Sequence, residues 1–423
     1  MKFEVLKRSH LKRNIIIGVI AVLIISAVIL NFTRAKYRVT ESIPLVNGTI
    51  NYTLPDLNII GLYIDGVEAD KLDSSKTYTL DTTQSTCTYK DGSEIENLSI
   101  SYDSETGNLT ITPFTMKGTK CTLYFNEKVF ARDTILAGKN ITTRPNFSST
   151  LTTNTTGTIY QAEDDDGTTY YFAGNPSDNW VRWAGYYWRI IRINGDGTIR
   201  LIYNGTSNTT TGTGTQIQTS TFNSSYNNNA YVGFKYTTNN VHGTGTNSTI
   251  LGVLNTWYQN NLASYASDID MNAGFCNDRT PYSGSGTGKT ATIYAVYNRL
   301  VTNKTPSFKC SNSSDLFTVS GASKGNKALQ YPIGLITADE VSYAGGVYAT
   351  SNSSYYLYTN SGYWTMSPYY FDYGWAWVFI VNSPGNLNYN SVDNAWGVRP
   401  AINLRADVTI TGSGTSSNPY TIS

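Results

Sequence analysis

The sequence predicts an α+β fold in which strands greatly outnumber helices, arranged as a small all-β module followed by a larger mixed domain with few helices. Short segments with alternating apolar and polar residues recur along the chain, separated by clusters of Gly, Asn and Ser. Such alternation is typical of half-buried strands joined by turns. Helical periodicity is confined to residues 249–262, 290–300 and 338–344, the last preceded by Thr337 as an N-cap. With 423 residues, the chain is long enough for two folded domains.

The N-terminal region predicts a transmembrane signal-anchor. Basic residues at positions 7, 8, 12 and 13 precede residues 15–32, which are apolar except for one Gly, one Ser and one Asn. As a helix this segment would span roughly 27 Å, close to the hydrocarbon thickness of a bilayer. We therefore expect a cytoplasmic basic tail over residues 1–13, a membrane helix over residues 14–32, and an extracellular remainder. The alternative, a cleaved signal peptide, requires a small-x-small site that residues 30–35 do not provide.

Residues 37–127 predict a small antiparallel β-sandwich that serves as a spacer. Segments 97–102 and 108–112 alternate apolar with polar residues on either side of a Gly-bearing turn. The chain has four cysteines, and local pairing within each domain joins Cys87 to Cys121 and Cys276 to Cys310. In an oxidising exterior each bridge would contribute roughly 3 to 4 kcal/mol. A reactive or metal-bound thiol is the alternative, but no base or ligand lies nearby in the sequence.

The larger domain is expected over residues 157–405, after a linker at residues 128–156 and before a C-terminal β tail at residues 406–423. Two strong strand segments are joined by Asn194-Gly195-Asp196-Gly197, which is a hairpin signal. The acidic run Glu163–Asp166, followed by Gly167, is compatible with a calcium loop, although an exposed turn is the more common structure for such a run.

The composition argues against several classes of function. The formal net charge is +1 and only 14% of residues are charged, so there is no basic field for a nucleic-acid partner. The only histidines are His10 and His242, and neither lies in a segment that suggests a general base. A histidine-rich zinc site is excluded by this count. We expect no cofactor, no nucleic-acid partner and no enzymatic activity.

Residues 363–404 have the composition of a contact surface. They hold four of the eight tryptophans but only three charged side chains, a mixture of rigid rings and short polar groups typical of recognition surfaces. Within this block Trp377, Phe379 and Val381 are assigned to core packing, as are Trp364 and Trp188. The remaining aromatic and Asn-rich segments lack a clear apolar face and are predicted to bind a ligand. These candidate residues are Tyr369, Tyr370, Phe371, Asp372, Tyr373, Asn386, Asn388, Tyr389, Asn390, Asp393, Asn394 and Trp396.

Two motifs frame the block and carry a family resemblance. Trp364-x-x-Ser367-Pro368 opens it and Gly397-Val398-Arg399-Pro400-Ala401 closes it. Together they resemble bacterial cell-surface domains with a C-type-lectin-like fold of the formylglycine-generating-enzyme type. Residues 183–191 are similar to the early strands of those domains, so the resemblance covers residues 157–405 and implies a C-type-lectin-like domain there.

The resemblance bears on function in two ways. In some lectin-like relatives, diversity-generating retroelements vary the ligand-contacting residues of such a block, and the composition of residues 369–396 is compatible with that pattern. The enzyme namesake uses a cysteine pair near its C-terminal motifs, whereas no cysteine follows Cys310, so that activity is not implied. The calcium-dependent sugar-binding tripeptides of animal lectins are also missing.

The leading hypothesis is a membrane-anchored extracellular ligand-binding protein or adhesin that recognises a protein or a glycan through its C-terminal loops. One alternative is a glycan-acting enzyme that uses Asp339 and Glu340 as paired carboxylates, although acids at these positions also favour a helix N-terminus. The other alternative is a passive structural protein of the cell surface.

Overall fold

The computed structural model describes residues 42–44, 57–113 and 118–423, and the chain divides into two compact units, Met1–Lys128 and Val129–Ser423. The predicted transmembrane segment, residues 14–32, and the basic tail before it lie outside the described residues. Within the described ranges, no helix combines the length and apolar character required to cross a bilayer.

The described residues of the first unit form two small sheets. Their strands are β1 (Ser42–Pro44), β2 (Leu57–Ile64), β3 (Val67–Glu68), β4 (Tyr78–Leu80), β5 (Thr86–Tyr89), β6 (Ser99–Asp103), β7 (Asn108–Thr112) and β8 (Thr119–Glu127). One sheet has the strand order β1-β7-β6; in the other, β2 lies between β3 and β8, and β8 also pairs with β4 and β5.

Period-two alternation places the apolar side chains of this unit on one face of each sheet. Along β8 buried and half-buried residues alternate, so Leu123 and Phe125 pack with Leu109 and Ile111 of β7 in one core. Cys87 and Cys121 lie opposite each other on β5 and β8 and form a disulfide. The β2–β8 pair is parallel, which differs from the predicted all-antiparallel arrangement.

The second unit contains two seven-stranded sheets and three short strand pairs. The strands of the first large sheet are β9 (Asn140–Thr142), β10 (Thr158–Asp164), β11 (Gly167–Tyr171), β12 (Trp180–Trp183), β13 (Tyr186–Ile193), β14 (Ile199–Tyr203) and β26 (Ala401–Leu404). The strands of the second are β15 (Gln218–Thr221), β19 (Pro281–Ser283), β20 (Thr292–Tyr294), β22 (Tyr363–Asp372), β23 (Trp375–Val381), β24 (Leu387–Ser391) and β25 (Ala395–Val398). The pairs are β16 (Lys235–Tyr236) with β17 (Thr246–Asn247), β18 (Phe275–Cys276) with β21 (Leu316–Phe317), and β27 (Ile410–Thr411) with β28 (Thr421–Ile422).

The predicted α+β class is wrong, because the described part of the chain is mostly β-sheet and its helices are short. The α-helices are α1 (Ala131–Leu136), α2 (Thr249–Asn261), α3 (Ala295–Tyr297) and α4 (Ala338–Ala344). Single-turn 3₁₀ segments are Gly212–Thr215, Asn229–Val232 and Ser313–Asp315, a longer one is Ala263–Asp268, and Asn298–Asn303 is a π-helix.

The error is clearest at residues 290–300, where helical periodicity predicted one helix. Thr292–Tyr294 instead pairs with β22 as strand β20, consistent with the strand preference of β-branched and aromatic residues. Only the three residues of α3 are α-helical before the chain continues as Asn298–Asn303. By contrast, α4 has the predicted Thr337 N-cap, and Glu340 completes a capping box.

Buried aromatic residues fill the core between the elements of the second unit. Trp188, Trp364 and Phe379 are inaccessible to solvent, and Val381 is 1% exposed. This burial confirms the assignment of all four residues to the core. Cys276 and Cys310 form the second predicted disulfide. The two disulfides indicate an oxidising environment, because such bonds do not persist in a reducing cytosol.

Arg399 gives the Gly397–Ala401 motif a structural role, because its buried guanidinium holds neighbouring segments of the chain together. This arginine is fully buried, donates hydrogen bonds to the carbonyl oxygens of Tyr203 and Leu357 and to Asn204, and lies 4.6 Å above the Tyr363 ring. A buried guanidinium must have its donors satisfied, so the motif fixes the strand ends around it.

Buried tyrosines make the fold sensitive to alkaline pH. Burial raises the pKa of Tyr343 and of Tyr420 from 10 to about 12. Since the folded-state pKa lies above the unfolded one, the neutral form stabilises the fold fully below pH 10, and this contribution is lost as pH rises from 10 through 12. We expect a group of buried tyrosines to ionise late, together with unfolding, as measured by tyrosinate absorbance alongside tryptophan fluorescence. A single titration near pH 10 with native fluorescence would contradict this.

Candidate functional site

A tight hairpin projects an aromatic side chain from the second large sheet. Strands β22 and β23 pair Tyr370 with Trp377 and Asp372 with Trp375, which leaves only Tyr373 and Gly374 in the turn. Their φ angles are +49° and +83°, the pattern of a type I′ turn. The carboxylate of Asp372 accepts a hydrogen bond from the Tyr373 backbone N–H at 2.8 Å, which fixes the turn.

Aromatic rings are unusually exposed at this hairpin. Tyr373 is 89% exposed, Trp375 is 42% exposed and Tyr226 is 38% exposed. The rings of Tyr226 and Trp375 are stacked, with centroids 5.7 Å apart and planes 11° apart. The backbone N–H of Ala376 donates to the carbonyl oxygen of Tyr226 at 2.8 Å, so the loop that carries Tyr226 is tied to β23.

A second group of rings continues from the hairpin along the same face of the sheet. Tyr370, Trp377 and Tyr389 contact one another, with centroid distances of 5.3 to 5.8 Å. Trp377 lies two residues after Trp375, so both project from the same face of β23. We call the six residues of this surface the aromatic patch: Tyr226, Tyr370, Tyr373, Trp375, Trp377 and Tyr389.

The patch rests on a rigid base. Tyr369 is buried beneath it, stacks on Tyr389 with centroids 4.1 Å apart, and shares a 2.8 Å hydrogen bond between its hydroxyl and that of Tyr348. Burial raises the pKa of both Tyr369 and Tyr370, so these phenols remain neutral at physiological pH. The patch therefore offers uncharged rings held by packing, which is a surface suited to contact and not to proton transfer.

The structure brings several of the predicted site residues together. Tyr370, Tyr373 and Tyr389 belong to the patch, and Asp372 adjoins it, whereas Tyr369 and Phe371 are buried below the surface. Asn388 and Asn390 flank Tyr389 on β24, where they pair with Ile380 and Val378. Because side chains alternate along a strand, both asparagines lie on the face opposite to Tyr389. Asn394 donates to Asn390, and Asp393 accepts from Ser391.

Two predicted residues lie elsewhere. Trp396 packs against Gly362, directly before the start of β22, whereas Tyr373 directly follows the end of that ten-residue strand. A strand of this length separates them by roughly 30 Å. Asn386 is buried and lies beyond the far end of β23, where Leu387 pairs with Val381.

Sequence reasoning omitted Tyr226, Trp375 and Trp377 from the candidate site. Trp377 was assigned to the core but is only partly buried. Trp375 directly follows the Gly374 turn, a position at which a strand residue is often exposed, and this signal was available in the sequence. Tyr226 lies in an Asn- and Ser-rich stretch without periodicity, so only its long-range contact with Trp375 reveals its place.

A polar cleft is a second candidate site in this unit. It has a volume of about 70 Å³ and is lined by the Cys276–Cys310 disulfide, the first turn of α4, the β10–β11 turn and Ser367. Glu340 is a buried residue of the lining, and Arg200 contacts its carboxylate at 2.5 Å and Arg192 at 3.2 Å. Burial alone would raise the pKa of Glu340, but the two arginines lower it overall, so the carboxylate is ionised.

The residues proposed for the enzyme alternative are engaged in structural contacts. Glu340 accepts from the Thr337 N–H at 2.9 Å, and Asp339 receives two hydrogen bonds from Arg299. His242 contacts Asp315 at 3.0 Å through one ring nitrogen and Asn312 at 3.1 Å through the other. A general acid needs a raised pKa, and Glu340 has the opposite shift.

The acidic run is a turn in this structure. Strand β10 ends at Asp164 and β11 begins at Gly167, with the intervening residues in a two-residue hairpin turn. Asp164 accepts hydrogen bonds from Arg192 and from the Gly195 N–H. In the portions of the chain that the structure covers, no group of three His, Cys, Asp or Glu side chains is arranged to hold a metal ion.

Comparisons with protein-family models, with curated proteins and with solved structures gave no match. The resemblance to C-type-lectin-like domains of the formylglycine-generating-enzyme type therefore stays a prediction.

The turn residue Tyr373 gives a prediction that separates stability from function. Replacing it with Asn, which accepts positive φ more readily, is expected to stabilise the second unit by roughly 1 kcal/mol. Urea unfolding followed by tryptophan fluorescence measures this change, since all eight tryptophans lie in Val129–Ser423. A destabilised Y373N variant would contradict the assignment of strain to this position.

Proposed function

We propose that this chain is an extracellular ligand-binding protein whose aromatic patch contacts a protein partner. The proposal rests on Tyr373, a large aromatic residue that is 89% exposed and occupies a turn position with a left-handed backbone conformation. Its ring contributes little to the core of the chain that carries it, yet its backbone conformation opposes folding by roughly 1 to 2 kcal/mol.

Two other hairpins of the same chain support this reading of Tyr373. Asp65-Gly66 and Ala184-Gly185 make two-residue turns with nearly the same φ angles, +50° and +80° in the first and +52° and +80° in the second. A small or polar residue therefore suffices for this turn, and the aromatic ring at Tyr373 has no role in forming it. Strain that the fold does not require is common at contact sites.

The shape and composition of the patch favour a protein over a glycan. Tyr373 lies at the tip of a hairpin and Trp375 beside it, so the rings project outward and fit a groove in a partner. Tyr and Trp dominate the energetics of protein interfaces because each buries a large area with few rotatable bonds. Sugar-binding sites in contrast are usually concave, with polar groups that converge on the ligand.

The two disulfides support a location outside the cytoplasm, and the absence of a basic field argues against a nucleic-acid ligand. We therefore propose that the patch meets its partner at a cell surface.

The proposal is tested with the labelled full-length chain applied to intact cells and to a glycan array. A protein ligand predicts saturable cell binding that is lost when the cells are pretreated with protease and kept when they are pretreated with glycosidases. The reverse pattern, or strong signals on the array, would assign the patch to a glycan. No saturable binding to any surface would overturn the proposed function in favour of a passive structural role.

A further inference from the structure

The polar cleft carries an uncompensated negative charge. Its lining includes seven carboxylates and five cationic side chains, a net charge of −2. On the side that holds Glu340 the charges balance, because Arg192 and Arg200 face Glu340 and Asp164.

On the other side of the cleft the charges do not balance. Arg299 donates to Asp339 at 2.9 and 3.0 Å and to Asp278 at 2.8 Å, so one guanidinium serves two buried carboxylates. Both acids are more than 90% buried. A buried carboxylate without a full counter-charge is strongly destabilising, and a bound cation would relieve that cost.

Unpartnered hydrogen-bond acceptors are found on the same lining. The Oδ2 atom of Asp278 accepts from Arg299 and Ser311, but its Oδ1 atom has no hydrogen-bond partner within the described ranges. Asn194 also lines the cleft. Its side-chain NH2 group donates to Thr198 and Asn403, but its Oδ1 atom is buried without a hydrogen-bond partner. Both unpartnered atoms are acceptors, so the missing group is a hydrogen-bond donor.

The geometry points to a binding site for a primary alkylammonium group in this cleft, with the Asp278 carboxylate as its counter-ion. An ammonium supplies a positive charge and has three N–H donors, enough for the two unpartnered acceptors. The cleft volume of about 70 Å³ accommodates such a group together with a short alkyl stem, because a single water requires about 10 to 15 Å³ on the same measure. The rim is acidic, and Lys324 bridges Asp166 and Asp196 there. This site is separate from the aromatic patch and does not depend on the function proposed for it.

The test is a ligand-observed NMR titration of the full-length chain with butylammonium, using 1-butanol as the uncharged match. We expect saturable binding of butylammonium only. Asp278→Asn is expected to weaken it by about tenfold or more, because the counter-charge is lost. Lys324→Gln removes a rim cation and is expected to strengthen it by about threefold. Asp407→Asn, the same chemical change in an exposed ion pair with Arg405, should have no effect.

The outcomes separate the proposal from its alternatives. Equal behaviour of butylammonium and 1-butanol, or unchanged affinity in folded Asp278→Asn, would overturn it. If Asp278→Asn does not fold, Lys324→Gln decides, since unchanged or weaker binding there contradicts an electrostatic site. Binding of N-acetyl-lysine amide as well as butylammonium would assign the site to lysine side chains of proteins, and binding of butylammonium alone would assign it to free amines.

Discussion

Replacing Tyr373 or Trp375 with alanine is expected to weaken binding of the chain to its target cells by about thirtyfold or more for each substitution. Both rings are exposed at the hairpin and would become buried when a partner binds. Each alanine substitution therefore removes apolar area and packing that would stabilise the complex. The folded chain loses little, because neither ring is part of the buried core. The measurement is equilibrium binding of the labelled full-length variants to cells that bind the unmodified chain.

Tyr265 provides the matched control for this experiment. It is also an exposed tyrosine, 39% accessible, but it packs against Trp183 and lies outside the patch. Tyr265→Ala should bind normally, and Ala184→Asn, which changes a hairpin turn of the same type, should bind normally as well. Equal losses in the patch variants and in these controls would mean that the patch is not the contact surface.

Glu340→Gln is expected to destabilise the second unit by about 3 to 5 kcal/mol. The carboxylate is buried and faces both Arg200 and Arg192. An amide would leave Arg192 with Asp164 as its carboxylate partner and would remove the ion pair of Arg200. Tryptophan fluorescence in a urea series measures the change, with Glu163→Gln as the control. Glu163 is exposed and its carboxylate accepts a hydrogen bond from the Thr168 hydroxyl, so loss of its charge should matter little.

The pH dependence of this effect has a definite sign. The pKa of Glu340 is lowered in the folded state, so its stabilising contribution is complete above its ordinary value of 4.5 and is lost as pH falls through the folded value. The difference in stability between the unmodified chain and Glu340→Gln should therefore be large at neutral pH and shrink below pH 4.5. A difference that is small at neutral pH, or that grows in acid, would contradict the ion cluster as a stabilising element.

The sequence predicted local features more successfully than long-range ones. The N-cap at Thr337 and both disulfides follow from residue type and spacing, and helix α2 matches the predicted segment to within one residue. The predicted α+β fold class was wrong because a short segment with helical periodicity can instead pair as a strand in a sheet. Residues 292–294 pair with β22, a contact across about 80 positions of chain that periodicity does not encode.

The candidate site shows the same limit. The density of Tyr and Trp drew attention to the C-terminal block, but only the register of β22 against β23 shows that Tyr370 faces Trp377. The stacking of Tyr226 on Trp375 and the sharing of Arg299 between Asp278 and Asp339 join residues far apart in the chain. No local pattern marks such pairs in advance.

Site-specific photocrosslinking on intact cells tests whether the hairpin at Tyr373 touches a protein partner. The full-length chain carries a photoreactive phenylalanine analogue at position 373 in one sample and at position 265 in the other. We expect a discrete protein adduct from position 373, reduced by excess unlabelled chain, and none from position 265. Adducts of equal yield from both positions, or none from position 373 on cells that bind the chain, would contradict it.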